Sequence, residues 1–163
     1  MKSNTVIFTE PYKVEIQEID CPKPGKSEVL IRTEQTLIST GTELTFLTGE
    51  CPEKSKWSEY IHYPQKSGYS NVGIIEEVGE GVSKDLIGKR VASFSGHSQY
   101  VIVNVNELRM INYEIKSEEA TFFALAETTI NGIRRTGIEL GNRVVVYGAG
   151  IVGQLAARFL LAG

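Results

Sequence analysis

From residue 5 to residue 105 apolar and polar positions alternate in short runs broken by turn formers. Residues 13–19 place Val14 and Ile16 on one face of a strand. That run stops at Cys21-Pro22-Lys23-Pro24-Gly25, where two prolines offer no ladder donor. Residues 28–33 (EVLIRT) restart the pattern, and residues 72–78 repeat it between Gly68 and the glycines Gly79 and Gly81. Residues 90–94 and 100–105 follow, rich in β-branched or aromatic side chains and bounded by Gly88 and Gly96. Many short strands joined by glycine-rich turns predict a barrel or sandwich.

After residue 117 the period changes. Phe122, Ala126, Thr129, Ile130 and Ile133 recur at helical spacing, with Glu118 and Glu119 in the first turn, Arg134 and Arg135 in the last, and Gly137 where a C-terminal cap belongs. Next come Gly141-Asn142, the pure β run 143–147 (RVVVY), the turn from Gly148 to Gly153, and a second helix with Val152, Leu155, Ala156 and Phe159 on one face. The fold class expected is mainly β with α. Three parts follow from it: a β domain over 1–117, a linking helix over 118–140, and the start of an α/β domain over 141–163. The run 143–147 has no second strand to pair with before Gly163, so a truncated fragment is the expectation.

Composition narrows the function. With 163 residues, 41% of them hydrophobic, the chain can bury one core and the beginning of another. Its 17 basic and 20 acidic residues give a net charge of −3 without a block of one sign, which argues against nucleic acid and anionic membranes and leaves a small-molecule or protein partner, with a small-molecule substrate the one expected. No apolar run approaches the roughly 18 residues of a membrane span, and the first residues lack a signal-peptide core. Cys21 and Cys51 read as free thiols in a reduced, cytoplasmic protein.

The turn Gly148-Ala149-Gly150-Ile151-Val152-Gly153 has the form G-x-G-x-x-G between a β run and an amphipathic helix. In that setting Gly148 permits the tight bend, Gly150 lets a pyrophosphate approach bare backbone, and Gly153 lets the helix pack on the strand. Ile151 and Val152 open the helix whose N-terminus favours anions. The turn therefore reads as a dinucleotide site, against the plainer alternative of a strand-to-helix turn. The acid that would grip the ribose belongs about 20 residues further on, so NAD and NADP are not distinguished.

Two more segments carry a resemblance. Residues 68–79 (GYSNVGIIEEVG) resemble the G-H-E-x-x-G-x-V-x-x-V-G signature of the medium-chain dehydrogenase/reductase superfamily. Gly88-Lys89-Arg90-Val91-Ala92, followed by residues 97–103 (HSQYVIV), resembles its next element. With the glycine turn these stand in the superfamily's order. The resemblance implies a GroES-like β barrel as catalytic domain, followed by the first β-α unit of a truncated Rossmann fold. It implies an alcohol dehydrogenase-like, NAD(P)-binding oxidoreductase that moves hydride to or from a carbonyl, alcohol or activated alkene. It also implies a homodimer or homotetramer, and inactivity of the fragment alone.

The zinc ligands of the superfamily do not carry over. The cysteine position falls on Thr40 and the histidine position on Tyr69, with Ser70 at the adjacent glutamate. The third ligand falls on Ala124, or on Glu127 after a shift of three. No C-x-x-C occurs, so the structural zinc lobe is missing too. The sequence resembles the zinc-independent branch that includes bacteriochlorophyllide and sugar-type dehydrogenases, and no metal is expected. A non-enzymatic GroES-like module and a zinc-dependent alcohol dehydrogenase relative remain as alternatives.

Without a metal, hydrogen-bond donors must meet the charge that develops on the substrate oxygen. Thr40, Thr42 and Tyr69 are the candidates. Thr42 falls where zinc-dependent members relay the alcohol proton, though it would equally cap a turn. Tyr69 would equally be a buried aromatic bonded to backbone. Glu43 is expected to orient neighbours or pair with a cation. For His97 a structural hydrogen bond is expected, and His62 lies in a loop. Trp57 and Tyr60 either line a substrate entrance or pack the loop around them.

Overall fold

The β-branched runs before residue 105 become strands as expected, in a computed structural model that describes residues 1–139 and 141–162. The chain divides into two compact units, Met1–Thr121 and the part from Phe122 onward. Leu140, in the expected linking helix, and Gly163 lie outside the described residues.

In the first unit β1 (Lys2–Glu10), β2 (Lys13–Asp20) and β4 (Gln65–Lys66) form a three-stranded sheet in the order β2-β1-β4. β3 (Glu28–Thr36), β5 (Asn71–Val78), β6 (Arg90–Ser93), β7 (Tyr100–Asn104) and β8 (Arg109–Met110) form a five-stranded sheet in the order β7-β3-β5-β6-β8. All pairings are antiparallel. Register puts Ile31 opposite both Ile75 and Val101, and Val29 opposite Val78 and Val103, which gathers apolar side chains on one face. Val29, Ile31, Ile75, Val91 and Val103 are the buried centre, with Val82, Leu86 and Leu108 packed around it.

The segment after Gly96 joins the two sheets. Val6 N donates to His97 O at 2.9 Å and Gln99 N donates to Asn4 O at 2.8 Å, while Thr33 N donates to Gln99 O at 2.9 Å from the other sheet. Residues 97–99 thus close the two sheets toward a barrel.

The glycines of the signature segment now have reasons. A Cβ on Gly73 would overlap the Arg32 carbonyl oxygen of the neighbouring strand, and one on Gly79 would overlap the Gly25 carbonyl. Gly68 takes φ +87° and lies under the His97 ring, where a Cβ would sit 2.8 Å from three ring atoms.

Two expectations need adjusting. β2 is an edge strand, and the side of it carrying Val14 and Ile16 faces solvent, with Ile16 75% exposed. The charged neighbours Lys13, Glu15 and Glu18 guard that edge against further pairing. β1 escaped the alternation because its inward positions include Ser3 and Thr5, both buried. The Ser3 hydroxyl accepts from Tyr100 N at 2.9 Å and donates to Tyr100 O at 3.0 Å.

The expected linking helix divides into α3 (Ser117–Ala120), in the first unit, and α4 (Phe123–Arg135), in the second. Its buried residues are Ala124, Leu125 and Thr129; of the expected stripe Thr129 is buried, while Phe122, Ala126, Ile130 and Ile133 are half-buried. In the second unit α4 is followed by the run 143–147, the glycine turn and α5 (Ile151–Ala162), in the expected order. Residues 143–147 form no ladder, which corrects the expected strand. A β run is defined by its hydrogen-bonded neighbour, and no described strand pairs with this one, so Val145 is 91% exposed. No described helix is long and apolar enough to cross a membrane.

Candidate functional site

The first unit's densest polar cluster is built around α1 (Thr40–Thr48), which begins where β3 ends. Ser39 is its N-cap, with extended backbone (φ −94°, ψ 95°), and Gly49 ends it in the left-handed conformation, its N–H bonded to Thr45 O. No side chain of Ser39 caps the helix. Glu43 instead reaches back from the first turn, and its Oε1 accepts from Ser39 N at 2.7 Å. This is the carboxylate half of a capping box, displaced by one residue.

Glu43 is 5% exposed, and its second oxygen is equally engaged. Oε2 accepts from Ser67 Oγ at 2.7 Å and meets His97 Nε2 at 2.8 Å. Burial by itself would raise the carboxyl pKa, but the hydrogen bonds from His97, the Ser39 amide and the Ser67 hydroxyl outweigh it and hold the group below the ordinary glutamate range. An ionised carboxylate only accepts, so His97 must present Nε2–H to it. The other ring nitrogen, Nδ1, is buried and has no hydrogen-bond partner among the described residues.

The segment preceding β5 is held residue by residue. Ser67 bonds Glu43, Gly68 carries the His97 ring, the Tyr69 hydroxyl donates to Ser39 Oγ at 2.6 Å, and Ser70 Oγ bonds the Thr121 carbonyl. Tyr69 is half-buried, Thr42 half-buried, and Thr40 exposed at the first helical position. The structure therefore joins Tyr69 to Glu43 through Ser39, while Thr40 and Thr42 take no part in that network. Ser39, Ser67 and His97 were not singled out as partners by the sequence. A serine followed four residues later by a buried acid was the only local hint, and the rest needed the fold.

Because Glu43 has a depressed pKa in the folded state, its contribution to stability is full above the ordinary glutamate range and is lost as pH falls through the folded value. Denaturant unfolding across acidic pH is expected to show that loss in the native protein and a flatter profile in Glu43→Gln. Identical profiles would refute it.

Other candidates lie apart from this network. Trp57 and Tyr60 bound α2 (Trp57–Tyr60) and are exposed, with the Trp57 ring edge-on to Phe46 at 5.7 Å. His62 is exposed. Cys21 and Cys51 are free thiols, and burial pushes the Cys21 thiol pKa up, away from reactivity. Among the described residues no three His, Cys, Asp or Glu side chains group as a metal site.

In the second unit Gly148 takes φ +105°, and a Cβ on Gly153 would overlap the Gly148 carbonyl oxygen. Around the missing Cβ of Gly150 the space is open. A helical bond at the start of α5 runs from Gln154 N to Gly150 O at 2.9 Å, so the amides of Ile151, Val152 and Gly153 stand ahead of it at the helix mouth.

No family model matches the sequence. An alcohol dehydrogenase from Geobacillus stearothermophilus is 27% identical over 187 residues, spanning 95% of this chain and 53% of that protein. The short chain alcohol dehydrogenase rspB of E. coli CFT073, solved with its cofactor NADH, superposes with a TM-score of 0.84 at 21% identity, covering 98% of this chain and 53% of its own. The quinone oxidoreductase of Coxiella burnetii does so with a TM-score of 0.84 at 19% identity, covering 99% and 54%. The chain spans about half the length of the curated relatives it matches. Its signature segments stand in the order of the medium-chain dehydrogenase/reductase superfamily, its fold is that of these enzymes, and its sequence is similar to alcohol dehydrogenases over nearly its whole length.

Proposed function

We propose that the whole protein is a nicotinamide-dependent oxidoreductase acting on a carbonyl, alcohol or activated alkene without zinc. The observation that carries this is the glycine turn. Its backbone is bent at Gly148, closed against the helix at Gly153 and bare at Gly150, beneath free helix amides that favour a pyrophosphate. The relatives named for alcohol and quinone oxidoreduction, one of them solved with NADH, support the same reading. Residues 1–117 would then be the catalytic domain, 118–140 the linking helix and 141–163 the start of the cofactor domain, in a cytoplasmic homodimer or homotetramer.

A bound nicotinamide supplies or accepts the hydride. The chain's own residues hold the pyrophosphate and answer the charge on the substrate oxygen. Tyr69 is the leading donor for that oxygen, because its hydroxyl is fixed by Ser39 and lies where zinc-dependent members hold a metal ligand. Thr42 and Thr40 are the further donors, and Glu43 orients. Zinc independence rests on donor chemistry, since Thr40, Tyr69 and Ala124 are poor ligands. NAD and NADP are both compatible with the turn.

Titrating the full-length protein with NADH and NADPH, followed by nicotinamide fluorescence, is expected to give saturable binding to one of them. Gly153→Ala should weaken it at least about tenfold, equivalent to about 1.4 kcal/mol. No saturable binding of either cofactor would sink the reading.

A further inference from the structure

The Glu43–His97 pair is remote from the glycine turn in sequence, and none of the roles above uses its histidine. It is nonetheless the most elaborate polar construction in the first unit. The His97 side chain is 9% exposed and that of Glu43 6%, yet the acid is held ionised by three donors. A pair buried only for cohesion is a poor bargain, because desolvating two charges or near-charges offsets much of their attraction. Its geometry offers another use. One carboxylate oxygen grips the helix N-cap at Ser39 N, and the other grips Ser67 and His97 on the facing segments. Ser39 in turn carries the hydroxyl that meets Tyr69, and Tyr69 stands two residues after Ser67.

We infer that Glu43 and His97 are positioning residues that fix the Ser39–Tyr69 hydroxyl pair as a ready hydrogen-bond donor for a substrate carbonyl or alkoxide oxygen. This rests on the oxidoreductase reading above for the identity of that oxygen, but the coupling itself is a property of this chain. Both ends of the Ser39–Tyr69 contact are thereby clamped to one carboxylate. Ser39 is held through its amide, and Tyr69 through the two residues before it, Ser67 bonded to the carboxylate and Gly68 beneath the His97 ring. Each hydroxyl has one proton and accepting lone pairs, so the pair can reverse its direction. In the free state Tyr69 donates to Ser39 Oγ. When an oxygen arrives with developing negative charge, Ser39 donates to the phenol oxygen and the phenol proton turns to the substrate. No bond to carbon changes and no net proton is released, so the exchange costs little reorganisation, which is what preorganised donors contribute to catalysis.

The test follows the Tyr69 phenol by NMR, with carbon-13 at tyrosine Cζ and the resonance assigned by its loss in Tyr69→Phe. His97→Ala is expected to move the Tyr69 resonance although the two side chains share no hydrogen bond. His97→Gln, which keeps an N–H for Glu43, should return it toward the native position. Ser39→Ala should move it further and Ser39→Thr, which retains the hydroxyl, should not. A folded His97→Ala protein with an unshifted Tyr69 resonance overturns the inference. If His97→Ala does not fold, equal resonances in Ser39→Ala and Ser39→Thr overturn it instead. These outcomes are independent of cofactor binding. A shifted Tyr69 in a full-length protein that binds no nicotinamide would end the oxidoreductase reading and leave the positioning intact. In an active preparation, His97→Ala should lower kcat with KM little changed, and His97→Gln should restore it.

Discussion

Glu43→Ala is expected to destabilise the first unit by about 3–5 kcal/mol, the range for removing one partner of a buried, hydrogen-bonded charge pair. The reason is arithmetic of donors rather than lost attraction. The substitution strands the Ser39 amide, the Ser67 hydroxyl and the His97 ring N–H in a site that water does not reach, and each orphaned group carries its own desolvation cost. It also loosens the N-cap of α1 and, through Ser67 and His97, the segment leading into β5. Urea unfolding of the variant against the native protein measures it. The contrast is Glu76→Ala, which removes a contact of 2.6 Å to Arg32 between side chains 36% and 42% exposed. That change should cost no more than about 1 kcal/mol. If the two variants are equally stable, the buried network is not the anchor described.

The second large effect is expected at Gly73. In Gly73→Ala the new methyl would overlap the Arg32 carbonyl oxygen and crowd the Ile31 side chain on the adjacent central strand. Arg32 pairs with Ile74 on one side and Tyr100 on the other, so β3 cannot shift to relieve it without breaking two ladders. A loss of about 3 kcal/mol or more is expected, at the top of the range for overpacking a core. Gly81→Ala is the control for glycine substitution as such. Nothing lies within 4 Å of its Cβ, and only its φ of +82° opposes the change. Thermal unfolding should therefore rank Gly73→Ala well below Gly81→Ala, and the reverse order would refute the close-approach explanation.

These expectations bear on how the resemblance should be understood. The signature segment is recognisable in sequence chiefly through its glycines, and each of Gly68, Gly73 and Gly79 answers a contact made across the fold. The polar residues around them form a different set. Tyr69, which the resemblance aligns with a metal-ligand position, bonds a serine hydroxyl, and the nearby acid is bonded to a histidine from the segment between β6 and β7. Scaffold and polar residues are separable because backbone approach is fixed by glycine, whereas the polar residues it brings together are free to change.

Much of this protein was determined by sequence alone. Strands at β2, β3, β5, β6 and β7 were legible because their apolar residues repeat at the strand period, and α5 because it follows a glycine turn and carries a helical stripe. β1 was obscured because its inward side begins with serine and threonine, of which Ser3 bonds β7 through its hydroxyl and Thr5 bonds the Ser3 carbonyl. That residues 143–147 lack a pairing partner was already an expectation of the sequence, and the run forms no ladder, since a strand exists only by virtue of its neighbour. Tertiary structure alone decided two things. It turned the Val14–Ile16 side of β2 to solvent, because an edge position has no second layer to face. And it made a network of Glu43, Ser39, Ser67, Tyr69 and His97, which no local pattern announces, because hydrogen bonds between residues up to 54 positions apart depend on where the chain returns rather than on what stands beside them in sequence.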